Sequence, residues 1–464
     1  MDNLPPELWY HITRFISSSE LWKLRRINHF FQEAAYDRRF KVVTVHIGDL
    51  EKMALKGDPF YLTLRARELH FQYGGLHGDR TQASARTPFS TSIAACLKMA
   101  SKIQDHLLRR HISDEVVNSS SLQAGAGAIN ASQILTSFKN VQQVFVHGIG
   151  NEATRADLEA SQLDMLSFAI RSYGMNLTTL SLQIPRQEHF LQVLTSLSTL
   201  PRLPHLKRVY LTLYPSSFGD NANFQSEMKY AVVPFLNTHR ETLTSLHLLA
   251  NSYIRGLDLS FLPFLARMPH LRILKLYLLL CLPSAAQTVK TLLKKHTYRL
   301  ESLVLGVVGP DDIDHQYTNL SLLYTPLPFL KHIEINEDIR IARSRAANSL
   351  PALISYISSY RKTLHTLRVS GRKIIYTDME RLASATWPKL VSLDLHLLTC
   401  SPEFFDDLAQ GFPALQDLSL LVYSFLGSTV PSGALSDDEN RAEAIQHPVG
   451  RPLLPLLRSQ SDCY

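Results

Sequence analysis

The stretch Leu390-Val391-Ser392-Leu393-Asp394-Leu395 places apolar residues at positions 1, 4 and 6 and leaves 2, 3 and 5 free to vary. In an extended strand, positions 4 and 6 point to one side and 3 and 5 to the other, so each copy specifies a strand with one buried face. The spacing recurs at Val42/Val45/Ile47, Val141/Val144/Val146, Leu177/Leu180/Leu182, Leu206/Val209/Leu211 and Leu243/Leu246/Leu248. It continues at Leu271/Leu274/Leu276, Leu300/Leu303/Leu305, Leu330/Ile333/Ile335, Leu364/Leu367/Val369 and Leu415/Leu418/Leu420, with Ala66/Leu69/Phe71 a weaker copy.

In a chain that is 45% hydrophobic one such match means little, and the weight falls on the period. From Val144 to Leu418 the middle apolar residues follow one another at steps of 25 to 37 residues. That is room for a strand, a turn, a helix and a return, close to the roughly 20–29 residues of a leucine-rich repeat. The expected fold is α/β, an irregular solenoid with parallel strands on the concave side and helices on the convex side. The Asn or Cys expected three residues after the third apolar position is present only as Asn251, which predicts uneven curvature.

Helical periodicity is plain over Leu166–Tyr173, Phe190–Leu197, Met228–Leu236, Val289–Leu293, Leu353–Ile357 and Phe404–Leu408, between the strand motifs. The 75 residues from Leu69 to Val144 exceed two repeats, so an insertion or a degenerate repeat is expected at about 74–133, with a helix over about 92–110. After Gly427 the pattern stops, and 427–464 reads as a mostly flexible tail.

Residues 2–40 carry helical periodicity and no strand motif. Pro5, Pro6 and Glu7 suit a first turn, and Leu8, Ile12, Phe15 and Ile16 share a face, giving a helix over about 5–16. Ser17-Ser18-Ser19 offers a cap to a second helix carrying Leu21, Leu24, Ile27 and Phe31. Ala34, Ala35 and Phe40 extend an apolar face into a third.

The order and spacing of Leu4-Pro5, Glu7-Leu8, Ile12, Phe15-Ile16, Leu21, Leu24, Ile27-Asn28, Phe30-Phe31 and Ala34-Ala35 to Phe40 resemble the F-box. Asn28 stands where that family usually has Cys, and Phe40 where a Trp is common. With the repeats, the chain resembles an F-box and leucine-rich-repeat protein: an F-box over 1–41, a solenoid over 42–426 and the tail. The resemblance implies a substrate receptor of an SCF-type ubiquitin ligase. Leu4, Pro5, Glu7, Leu8, Ile12, Leu21 and Leu24 would dock on the SCF adaptor and through it the cullin, while the repeats hold a target protein. Two other readings stand beside it: a repeat scaffold whose N-terminal helices merely cap the solenoid, and a basic solenoid that binds RNA or another polyanion.

Motifs for chemistry are missing. Gly74-Gly75-Leu76-His77-Gly78 is no nucleotide loop, GxSxG and HExxH do not occur, and Asp311-Asp312-Ile313-Asp314-His315 lacks the glycine and distal glutamate of a calcium loop. Cys96, Cys281, Cys400 and Cys463 form no CxxC pair. No catalytic activity, metal or cofactor is expected. The N-terminus shows no signal peptide, and the apolar run Leu271–Leu282 is too short to cross a bilayer, so an intracellular protein of cytoplasm or nucleus is expected, without membrane contact. Forty-eight Lys and Arg against 41 Asp and Glu give a net charge of +7, but in scattered pairs, so nucleic acid is not the expected partner.

What remains is a surface. The fifth motif positions, Phe145, Ser181, Tyr210, His247, Lys275, Val304, Glu334, Arg368, Asp394 and Ser419, should line the concave sheet, flanked by Gln143, Arg208, Ile273, His332 and Asp417. Tyr210, His247, Lys275, Glu334, Arg368 and Asp394 are the candidate target-binding residues.

Overall fold

The computed structural model describes residues 4–46, 65–73, 91–92, 135, 138–148, 160–184, 187–199, 202–213, 221–250, 260–278, 283–307, 324–337, 350–425 and 443–448. The chain divides into two compact units, Met1–Asn251 with Phe264–His270, and Ser252–Pro263 with Leu271–Tyr464.

The first unit opens with α1 (Pro6–Phe15), α2 (Ser18–Leu24) and α3 (His29–Phe40). Ser17 caps α2 through a reciprocal pair: its Oγ accepts from Glu20 N at 3.3 Å, and Glu20 Oε2 accepts from Ser17 N at 3.2 Å. Asn28 Oδ1 accepts from Phe31 N at 2.9 Å and starts α3. That cap corrects the expectation that one helix runs from Leu21 through Phe31: α2 stops at Leu24 and Phe31 belongs to α3. Trp9, Leu21, Phe31, Ala34 and Ala35 close the core of the three helices, with Ile16, Trp22, Leu24 and Phe30 packed against it. Arg38 ties α3 to α1 by donating to the carbonyls of Thr13 and Ile16.

The strands of this unit are β1 (Val42–His46), β2 (Glu68–Tyr73), β3 (Thr91–Ser92), β4 (Gln143–Gly148), β5 (Thr179–Gln183), β6 (Arg208–Leu213) and β7 (Ser245–Ala250). All pair parallel in the order β3-β1-β2-β4-β5-β6-β7. Helices α4 (Ala160–Tyr173), α5 (Gln187–Ser198) and α6 (Asn221–Thr238) connect the later strands. The pairing sets Leu69 opposite Val144, Val144 opposite Leu180, Leu180 opposite Val209 and Val209 opposite Leu246, all fully buried. Middle motif residues thus stack in one layer, which is what a repeat with a single buried strand face requires.

Three details differ from the sequence reading. In β1 it is Val43 that lies opposite Leu69, so the buried motif is Phe40/Val43/Val45 and not Val42/Val45/Ile47. Strand β2 pairs directly with β4, which leaves no place for a degenerate repeat between them. Ser92, expected at the start of a helix, lies in β3 at the edge beside β1; the rest of that expected helix lies outside the described residues.

The second unit continues the scheme with β8 (Ile273–Leu278), α7 (Pro283–Lys295), β9 (Ser302–Val307), β10 (His332–Glu337), α8 (Leu350–Ser358), β11 (Thr366–Ile374), α9 (Tyr376–Ala383), β12 (Ser392–Cys400), α10 (Glu403–Gly411) and β13 (Asp417–Phe425). Leu274, Leu303, Ile333, Leu367, Leu393 and Leu418 are opposite one another in turn. Gly371 has φ 86°, a left-handed conformation that suits glycine, where β11 slips register against β12. A further strand, β14 (Glu443–Pro448), pairs antiparallel with β13. It falls within the stretch read as a mostly flexible tail, whose other residues are not described.

One buried polar group makes the first unit sensitive to acid. His239 is fully buried at the end of α6; its Nδ1 accepts from Leu203 N at 3.4 Å and its Nε2 has no protein partner among the described residues. Burial, and then the nearby Arg202, hold its pKa down at about 4. Below pH ~6.5 the unfolded chain takes up a proton that the folded chain refuses, so stability is full above that pH and falls as pH drops toward 4. Between pH 7 and 5 the urea midpoint should therefore fall by the equivalent of about 2 kcal/mol more in the wild type than in His239→Phe.

Candidate interaction surfaces

The face of α1 turned away from the three-helix core carries Leu8, Ile12 and Phe15 at helical spacing, continued by Leu4 before the helix begins. These residues are 48%, 38%, 81% and 41% exposed, while Trp9 between them is 6% exposed. Pro5 and Glu7 are also exposed. The core is closed without this stripe, so its apolar area is left to solvent. Two of the expected docking residues are placed otherwise. Leu21 is 0% exposed at the centre of the core, and Leu24 is half-buried against it. Their spacing marks the apolar face of α2, and that face is spent inside the bundle.

On the open face of the first unit's sheet the fifth motif positions align as His70, Phe145, Ser181, Tyr210 and His247. His70 and Phe145 stack with centroids 4.6 Å apart, and His147, two residues further along β4, lies 5.4 Å from His70 and 5.9 Å from Phe145. Tyr210 and His247 meet edge-to-face at 4.1 Å. Glu68 Oε1 is 2.6 Å from His70 Nε2, and Gln183 Oε1 is 3.3 Å from His147 Nδ1. Burial lowers the His147 pKa; the Gln183 hydrogen bond opposes the shift and His70 adds to it.

The second unit presents different chemistry. Lys275, Val304, Glu334, Arg368, Asp394 and Ser419 align in that order. Arg368 Nε donates to Asp394 Oδ2 at 2.5 Å, and that bond and charge raise the arginine's pKa, fixing it as a cation. Glu334 Oε1 accepts from Asn336 Nδ2 at 2.8 Å, and the same amide lies 3.2 Å from the Tyr277 hydroxyl. Ser370 donates to Asn336 Oδ1, and Gly371 N donates to His396 Nδ1 at 3.2 Å. An open groove of about 640 Å³ lies beside this network and shares Glu334, Arg368 and Asp394 with it, His332 and Asp417 also being among its lining residues. Four of the six residues expected to bind a target, Lys275, Glu334, Arg368 and Asp394, lie on this face, and three of them line the groove. Tyr210 and His247 adjoin one another on the first unit's face.

His70, His147, Tyr277, Asn336 and His396 were not singled out from sequence. Alternation supplies the missing signal, since His147, Tyr277, Asn336 and His396 stand two residues beyond a fifth position and share its side of the sheet. Among the described residues no group of three or more His, Cys, Asp or Glu is placed to hold a metal, and no helix is long and apolar enough to cross a membrane. Asp311 to His315 lies outside the described residues.

No protein-family model matches the sequence, and no curated protein matches it. Among solved structures the chain is similar to a Bacteroides fragilis protein at 13% identity, over 68% of this chain and 81% of that one, with a TM-score of 0.33. It is also similar to an internalin of Listeria monocytogenes at 15% identity, over 65% and 84% of the two chains, with a TM-score of 0.27. The α/β leucine-rich-repeat fold rests on the in-register parallel strands and the helices that join them.

Proposed function

We propose that this protein is a substrate-recognition subunit of an SCF-type ubiquitin ligase. The observation that carries the reading is the exposed stripe of Leu4, Leu8, Ile12 and Phe15 on a three-helix unit whose own core is complete without it. A groove on the adaptor would bury that stripe together with Pro5 and Glu7. The repeats would hold a target protein, with Arg368, Asp394 and Glu334 offering paired charges at the groove of the second unit. Such a subunit contributes proximity and orientation, the transfer itself being done by other subunits. The role places the protein in the cytoplasm or nucleus.

The test is co-elution with recombinant adaptor on gel filtration, beside the Leu4→Ala, Pro5→Ala, Leu8→Ala triple variant. The wild type is expected to co-elute and the variant to elute alone, each large anchor costing upward of about 1 kcal/mol of binding. A folded wild-type chain that elutes apart from the adaptor leaves a repeat scaffold for protein partners with no ligase link.

A further inference from the structure

The cations that look scattered in sequence are gathered by the parallel register of the first unit. At the amino ends of its strands the second motif positions form a backbone ladder. Arg67 N donates to Lys41 O at 3.0 Å, Gln142 N to Arg67 O at 2.8 Å, Thr178 N to Gln142 O at 2.7 Å and Lys207 N to Thr178 O at 2.9 Å. Lys41, Arg67 and Lys207 therefore stand on one rim; Arg208, the exposed first residue of β6, follows Lys207, and Lys139 and Arg202 are exposed in the loops beside it. Among the described residues none of these six is paired with a carboxylate, and Glu241 at the same end is held by Arg240 at 3.1 Å. At the equivalent rim of the second unit a carboxylate is interleaved with the cations: Glu301 sits between Arg272 and Lys331, 3.5 and 3.6 Å away.

Three residues along each strand, about 10 Å from the rim, lies the row of rings on the open face. Ser181 separates Phe145 from Tyr210 in register, so two aromatic side chains flank a small one across two strand spacings, about 9–10 Å. That gap leaves room for a planar ring to enter over Ser181 and stack against one of them. Glu68 is the one acid at the described third, fifth and seventh positions of this face, and it is engaged by His70 at 2.6 Å.

We infer that this face of the first unit binds single-stranded nucleic acid. Phosphates lie along the Lys41–Arg67–Lys207 rim, and an unstacked base enters over Ser181 between Phe145 and Tyr210. A cationic track beside sequence-tolerant ring contacts is the combination such ligands use. An acidic polypeptide would use the rim and leave the rings idle, and a duplex keeps its bases stacked away from them. The inference is independent of the ligase reading, so either can fail without the other.

The experiment is fluorescence anisotropy of the full chain with a labelled oligouridine, beside a labelled oligoglutamate of matched charge, over a salt series. The oligouridine is expected to bind more tightly, with log Kd rising with log salt at about 0.7 per phosphate held. The exposed triple variant Arg67→Ala, Lys207→Ala, Arg208→Ala should flatten that slope by about 2. Phe145→Ala should leave the slope unchanged and weaken binding upward of about fivefold. Circular dichroism and melting of each variant report that it is folded. Equal or tighter binding of oligoglutamate, with no effect of Phe145→Ala, overturns the proposal in favour of an acidic protein surface. Absence of oligouridine binding at low salt overturns it outright.

Discussion

Leu21→Ala is expected to destabilise the N-terminal helices by about 2–5 kcal/mol, whereas Leu8→Ala should change stability by less than about 0.5 kcal/mol. The two leucines lie in one short apolar pattern and differ only in what covers them. Leu21 is 0% exposed among Trp9, Phe31, Ala34 and Ala35, so removing its side chain opens a cavity in a core with few other members. Leu8 is 48% exposed and lies outside the closed core, so its removal opens no enclosed cavity there. Hydrogen exchange over residues 6–40 separates the two outcomes, with protection lost in Leu21→Ala and retained in Leu8→Ala. If α1 docks on an adaptor as proposed, the order is reversed for any variant that stays folded, and Leu8→Ala is expected to weaken the complex directly. Equal destabilisation by both substitutions would mean that the α1 stripe is packed against the chain itself.

Trp387→Ala should be the most damaging single truncation in the second unit, at about 3–5 kcal/mol. Its ring is 0% exposed, lies 5.9 Å from Phe412 at 20° between planes, and donates from Nε1 to Leu382 O at 2.8 Å. Truncation leaves both a large void and a buried carbonyl without its donor. Trp387→Phe keeps most of the volume and loses the hydrogen bond, so about 1–2 kcal/mol is expected for it. Because repeats lean on their neighbours, the loss should show as early melting of α9, β12 and α10, while α4 and β5 in the first unit keep their protection. A uniform loss across both units would contradict that local coupling.

The period of the middle leucines was enough to find the repeat, because each must be buried opposite its neighbour and any slip by one residue would turn the strand inside out. Strand β1 shows where that logic weakens. Val42, Val43 and Val45 are all apolar, and Phe40 reads as part of a helix, so only pairing with Leu69 decides which set faces inward. Helix α9 was not anticipated: it spans eight residues, and its buried Met379 and Leu382 are too few to set a period. The Ser17 cap is legible because the serine run breaks the first helical face, whereas its reciprocal partner Glu20 and the Asn28 cap, set within an apolar series that looks continuous, are not read from the sequence. Exposure of Leu8 against burial of Leu21 could not be read, because a helical stripe records a face and not what lies against it. The stacking of His70 on Phe145 depends on two strands whose motifs are 75 residues apart becoming immediate neighbours.

Phe40 is both the last residue of α3 and the first buried residue of the first repeat, and only Lys41 separates the helix from β1. Arg65, at the entrance to the second repeat, reaches back to Asp37 at 2.6 Å and to Glu33 on α3. A swivel needs a residue or two with a free backbone, and Lys41, though its side chain is exposed, has its carbonyl held by Arg67 N and Glu68 N at 3.0 and 3.1 Å. A partner seated on α1 would consequently inherit a fixed bearing to the first strands, its reach set by the geometry of a rigid arm and not by the statistics of a tether.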